Sequence, residues 1–197
     1  VALGVVDPAK IKRNDTAQDG DVLILGKPLG VGILSAALQK GELDHAGYAE
    51  MIAATTKLNT VGADLAELDS VHALTDVTGF GLMGHLLEVC RGSNLAAEVR
   101  FDDVPLLPTA KGLAEAGFNT GAAGRNWASY GHEVSEPEGL PGWQHNLLVD
   151  PQTSGGLLAA CAPDAADEVL ALFRASGFAD AAVIGAVQNG TPGVKVL

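Results

Sequence analysis

The segment Thr75-Asp76-Val77-Thr78-Gly79-Phe80-Gly81-Leu82-Met83-Gly84-His85 runs from a strand-like stretch, His72–Thr75, through a glycine-rich turn into a helical pattern over Phe80–Arg91. Leu82, Leu86 and Val89 fall on one side of that helix. A strand–turn–helix junction of this kind presents unpaired N–H groups and the positive end of a helix dipole to an anion. Gly79, Gly81 and Gly84 satisfy G-x-G-x-x-G, and Glu98 and Asp102 lie near the offset of a ribose-binding acid, so a dinucleotide site is one reading. Asp76 supports a second. A carboxylate just before the turn would repel a pyrophosphate unless a cation lay between them, and magnesium binds through one or two carboxylates plus substrate phosphates. A purely structural turn with Asp76 as a cap is the third reading, and these residues alone leave all three open.

Outward from this segment, strand and helix patterns intermix. Asp21–Leu25 reads as a strand, Ile33–Lys40 as a helix with Gly41 just past its end, and Asp44 as the cap of the next helix. Tyr48, Met51, Ile52, Thr55, Leu58, Val61, Leu65 and Leu68 recur at helical steps, which predicts one amphipathic helix of more than about five turns. Asn59 and Asp64 lie beside or opposite that stripe, as a solvated face would. Leu95–Phe101 reads as a strand and Pro108–Ala116 as a helix closed by Gly117, whereas 119–142 lacks periodicity and reads as a long loop. Asn146–Val149 and Leu157–Cys161 read as strands and Ala165–Ser176 as a helix ended by Gly177. Ala182–Val187 and Val194–Leu197 read as strands across an Asn-Gly turn, and VALGVV at the start as a strand already under way. The expected fold is α/β (α+β), a mixed β-sheet covered by α-helices.

The chain has 197 residues, 47% hydrophobic and 18% charged, which fits one globular domain with a sizeable core. Its formal net charge of −12 repels polyanions and leaves no basic stripe, so nucleic-acid binding is not expected. An anionic substrate would have to be held by a metal or an array of backbone N–H groups. The sequence has no apolar run long enough for a membrane span and no leader pattern, so no membrane association and a cytoplasmic location are expected. Cys90 and Cys161 each sit in an apolar stretch, without a Cys-x-x-Cys spacing, and read as buried free thiols.

Three further segments carry candidate chemistry. By itself Asp150-Pro151-Gln152-Thr153-Ser154-Gly155-Gly156 reads as a tight turn. In Gly124-Arg125-Asn126, Arg125 is either a fork for phosphate or an ordinary surface residue. Lys27 in GKPLG invites comparison with a phosphate-binding lysine, but the Gly20–Gly26 spacing and Pro28 depart from a Walker loop. The histidines form no i, i+4 pair and no HExxH occurs, which argues against zinc. No serine lies in a G-x-S-x-G setting.

Taken together, GDVLILGKPLGVGIL, TDVTGFGLMGH, GRN with the following WASYGHEV, and DPQTSGGLL closely resemble the C-terminal domain of the selenophosphate synthetase (selenide, water dikinase) family. TDVTGFGLMGH alone resembles the wider superfamily of aminoimidazole ribonucleotide synthetase. The resemblance implies a division into 1–20, a strand or linker from an N-terminal domain, and 21–197, the C-terminal domain. It implies ATP and magnesium held between the two domains, formation of selenophosphate, AMP and phosphate from ATP, selenide and water, and a homodimer of the full-length protein. On the family motifs, Asp76 would be the metal ligand that this part contributes. Thr78, Gly79, Gly81, Arg125, Asp150 and Ser154 would be the nucleotide-side candidates. Gly26 stands where many relatives carry Thr, and the family's catalytic Cys or selenocysteine with its Lys has no counterpart within 1–197, so these residues alone are expected to be inactive. The alternatives are another ATP-dependent enzyme of the same superfamily, or a non-catalytic binding module.

Overall fold

The computed structural model describes residues 4–197. Its strands are β1 (Val22–Leu25), β2 (Val71–Asp76), β3 (Ala96–Val99), β4 (Val134–Ser135), β5 (Leu157–Cys161), β6 (Ala182–Gln188) and β7 (Gly193–Val196). They make one mixed sheet in the order β2-β5-β1-β6-β3-β7-β4, antiparallel from β2 to β3 and parallel in the β3–β7 and β7–β4 pairs. The helices are α1 (Val31–Gln39), α2 (His45–Thr56), α3 (Val61–Ala66), α4 (Gly81–Ser93), α5 (Pro108–Glu115), α6 (Gly121–Tyr130), α7 (Gly142–Leu148) and α8 (Ala166–Ala175). None of them is long and apolar enough to cross a membrane.

Successive residues of a strand point to opposite faces, and β1 shows what that does here. Leu23 and Leu25 join Leu82, Leu86 and Ile33 in the larger core, while Ile24 joins Val61, Leu65 and Phe173 in the smaller one. Helices thus cover the sheet on both faces, the mixed α/β architecture that the intermixed patterns imply. The two cysteines fall in different clusters, both free, and burial pushes each thiol up to about 11. Asp44 caps α2 by accepting from Gly47 N at 2.7 Å, and Gly41, Gly117 and Gly177 all take positive φ just past their helices.

Several expectations fail, some because distant partners override the local pattern and some because the local pattern is ambiguous. The long helix is two, α2 and α3, broken where Lys57 turns to ψ 116°. Lys27 Nζ takes the carbonyls of Ala54 and Lys57, and Asn59 Nδ2 donates to Gly155 O, so leaving the helix is compensated by bonds to distant segments. Much of the expected apolar stripe faces solvent, with Leu58 76% exposed. The 119–142 loop contains α6, whose buried residues Ala123, Asn126 and Tyr130 stand at helical spacing, but one is small and one is polar, so hydropathy hides the period. Asn146–Val149 is no strand but the end of α7 and its exit; so short an apolar run does not separate the two. The strands flanking Asn189-Gly190 are not hydrogen-bonded to each other, because β3 lies between β6 and β7 and pairs with both. Asn189 is instead held by Asp19, through its N–H at 2.8 Å and its side-chain amide at 2.5 Å. The expected N-terminal strand falls partly outside the described residues, and Gly4–Val6 form no strand.

Candidate functional site

Asp76 ends β2, and Gly81 begins α4, so the turn between them is fixed at both ends by regular structure. Its third support is the 149–156 segment. Val77 N–H donates to Gly156 O at 2.9 Å and Gln152 N–H to Thr78 O at 3.0 Å. Gly155 and Gly81 make this approach possible. A Cβ on Gly155 would stand 1.8 Å from Val77 O, and one on Gly81, at φ +70°, would stand 2.7 Å from the Val149 carbonyl carbon. The motifs TDVTGFG and DPQTSGG are therefore two interlocked halves of one structure.

On its outer side the turn is open. Asp76 and Gly79 are exposed, a Cβ at Gly79 would meet nothing, and Phe80 is 58% exposed. Among the described residues, the Asp76 carboxylate accepts no hydrogen bond and forms no ion pair, and the N–H groups of Gly79 and Phe80 have no acceptor. Thr78 is held from behind, its Oγ1 3.1 Å from His85 Nε2. Burial lowers the His85 pKa while Asp76 and Glu88 pull it up, so His85 is neutral near pH 7. The turn thus carries an exposed, free carboxylate at its start and two free backbone donors three and four residues later. The described residues contain no cluster of three metal-ligating side chains, so the fit is to a cation held by one carboxylate together with phosphate oxygens, the mode magnesium favours.

The other candidates divide. Asp150 is fully buried and turned toward α1, where its Oδ2 accepts from Gly32 N at 2.9 Å and Ile33 N at 3.3 Å. Gln152 takes Gly30 N and Val31 N, and its amide donates back to Asp150 at 2.9 Å. These two side chains thus satisfy the orphan N–H groups at the start of α1, and Asp150 presents nothing to the open face. Ser154 is exposed, in the left-handed region at φ +49°, and its carbonyl accepts from Lys27. Lys27 itself is 4% exposed and spends Nζ on three carbonyls, those of Ala54, Lys57 and Ser154. It is a strut that joins β1 to α2 and the 150–156 segment, with its pKa lowered by burial and by Lys57. Arg125 is exposed and lines a separate cleft of about 470 Å³ with Ser35, Lys40, Thr120 and Thr153.

Asn126, its neighbour, is the residue that reaches the turn. It is 8% exposed, and its amide donates to Gly79 O at 2.9 Å and to Val149 O at 3.0 Å. One helical turn on, Tyr130 donates its hydroxyl to Phe80 O at 2.5 Å. Residue type alone singles out the charged member of GRN and passes over the neutral one. The 123, 126, 130 spacing, with a polar residue in its middle, is the signal that could have found it.

Burial pushes the Asp150 carboxyl up to about 7, against hydrogen bonds from Gln152, Ile33 and Gly32, and its Oδ1 has no partner. A folded pKa above the unfolded value of about 3.9 means stability that is complete below that value and lost as pH rises through about 7. Asp150→Asn keeps an acceptor for the α1 N–H groups and carries no charge. In urea unfolding, the parent is expected to lose stability on the order of a few kcal/mol between about pH 4 and pH 7 through this carboxyl, and Asp150→Asn to lack that part of the decline. A variant with the parent's slope would show that Asp150 ionises without cost.

Residues 18–196 match the family model of the AIR synthase related protein, C-terminal domain. A selenide, water dikinase of Paraburkholderia xenovorans (strain LB400) is 66% identical over 197 residues, covering 100% of this chain and 56% of that protein. The chain therefore spans about half the length of the curated relatives it matches. Among solved structures, a thiamine-monophosphate kinase from Stenotrophomonas maltophilia K279a covers 97% of this chain at 23% identity with TM-score 0.65, over 54% of its own length. The hydrogenase maturation protein HypE in complex with ATP covers 98% at 22% identity with TM-score 0.66, over 51% of its own length. At such identities the likeness speaks for the fold. With a family model matched over nearly its whole length, the chain belongs to the AIR synthase related family, as a C-terminal domain of that family.

Proposed function

We propose that the chain is the ATP- and magnesium-side C-terminal part of a selenide, water dikinase, which with the remainder of the protein converts ATP, hydrogen selenide and water into selenophosphate, AMP and phosphate. The observation that carries the reading is the open turn, which begins at the free, exposed carboxylate of Asp76 and contains the free N–H groups of Gly79 and Phe80. The 66% identity over the whole chain to a relative of that name supports the substrate assignment. Asp76 is the metal ligand of this part, and Gly79 and Phe80 donate to a phosphate oxygen. Thr78, oriented by His85, supplies a hydroxyl beside them. Magnesium, when bound, neutralises phosphate charge and fixes the phosphoryl groups in line. Gly81, Gly155, Asp150, Gln152 and Lys27 hold the geometry without touching the nucleotide. Selenide chemistry, the homodimer contact and the catalytic Cys or selenocysteine belong to the rest of the full-length protein, in the cytoplasm.

The test compares ATP consumption by the full-length protein with selenide and with an aminoimidazole-type substrate. Selenide-dependent formation of AMP is the expected result. ATP turnover that follows the other substrate, and ignores selenide, would move the protein to a different member of the superfamily.

A further inference from the structure

The last three carbonyls of the turn are held from the protein side. Thr78 O accepts from Gln152 N and Gly81 N at 3.0 Å each, Gly79 O from Asn126, and Phe80 O from Tyr130. A trans peptide is planar, with its C=O and N–H pointing opposite ways. Fixing Thr78 O inward therefore turns Gly79 N–H outward, and fixing Gly79 O toward α6 turns Phe80 N–H away from α6. The two donors left free are the ones these planes expose. From this geometry we infer that Asn126 is a positioning residue, which sets the Gly79–Phe80 peptide plane so that the turn's N–H groups converge on a phosphate oxygen of a nucleoside triphosphate.

Two features separate this role from ordinary packing. Asn126 uses its side-chain amide to bridge the two halves of the site, Gly79 on one and Val149 on the other, so the turn and the 149–156 segment cannot shift independently. Val149 is also the backbone against which Gly81 is pressed, so a loss at residue 126 is felt on both sides of α4's first turn. A wrongly rotated Gly79–Phe80 plane would present a carbonyl, not an N–H, to the phosphate. The inference rests on the magnesium–nucleotide reading of Asp76, and its test keeps the two apart.

In the full-length protein with magnesium, the affinities of a non-hydrolysable ATP analogue and of inorganic tripolyphosphate are measured by calorimetry for Asn126→Ala, Asn126→Asp and Asp76→Asn. Both Asn126 variants should lose about tenfold or more for both probes, the size of a charge-assisted hydrogen bond, with KM for ATP raised more than kcat is lowered. A merely structural Asn126 would lower the melting temperature and the active fraction and leave the affinity of the folded molecules alone. Where the Asn126 variants fail to fold, Tyr130→Phe, which removes one hydroxyl and keeps the ring, should weaken both probes by about threefold. Unchanged affinity in a folded Asn126 variant, or in Tyr130→Phe where that variant stands in, overturns the inference. Loss in Asp76→Asn beside such a result leaves the parent reading standing, and unchanged affinity in Asp76→Asn overturns the parent reading itself.

Discussion

Replacing Asp76 by Asn in the full-length protein is expected to lower magnesium-dependent ATP turnover by about a thousandfold or more, equivalent to ~4 kcal/mol of barrier. The change keeps the shape and an oxygen and removes the charge that draws a divalent cation to the mouth of the turn. The fold should be indifferent. The Asp76 side chain is exposed and bonded to nothing among the described residues, and its pairing opposite Leu157 in the sheet is made by backbone alone. Circular dichroism melting of parent and variant should therefore superpose while turnover collapses. Near-normal turnover by a folded Asp76→Asn protein would remove Asp76 from the site, and with it the argument that the open turn binds a metal–phosphate complex.

The second large effect is on folding. Gly155→Ala places a methyl group 1.8 Å from Val77 O, and neither partner is a flexible side-chain end that could swing away. Backbone must separate from backbone, which weakens the Gln152-to-Thr78 and Val77-to-Gly156 bonds at once. A cost of about 3 kcal/mol or more is expected, at the upper end for overpacking. For a chain of this size that lowers the melting temperature by on the order of 10 °C. Gly79→Ala is the contrast in the same turn: its added methyl meets nothing, so the melting temperature should barely move. Equal destabilisation by the two substitutions would show that backbone freedom, and not close approach, is what the glycines supply.

Much of the architecture is legible because local rules and tertiary packing agree. The helix over 81–93, the strands at 22–25, 71–76 and 157–161, the cap at Asp44 and the glycines after three helices follow from periodicity, capping and positive φ. Where a segment's partners lie far away in sequence, that agreement ends. The 57–60 link leaves the helical path for Lys27 and Gly155, and α6 buries an asparagine that hydropathy assigns to solvent.

The site divides in the same way. The placement of Asp76 at a strand end, just before a glycine-rich turn and a helix start, is visible in the sequence because the strand, turn and helix signals there are all local. That Asp150 serves α1, that Lys27 is bound to three carbonyls, and that Asn126 and not Arg125 touches the turn could not be read from it. Residue type tells what a side chain can donate or accept. Which partner it meets depends on the packing of elements brought together by a sheet whose strand order crosses the chain repeatedly, and only the tertiary structure fixes that.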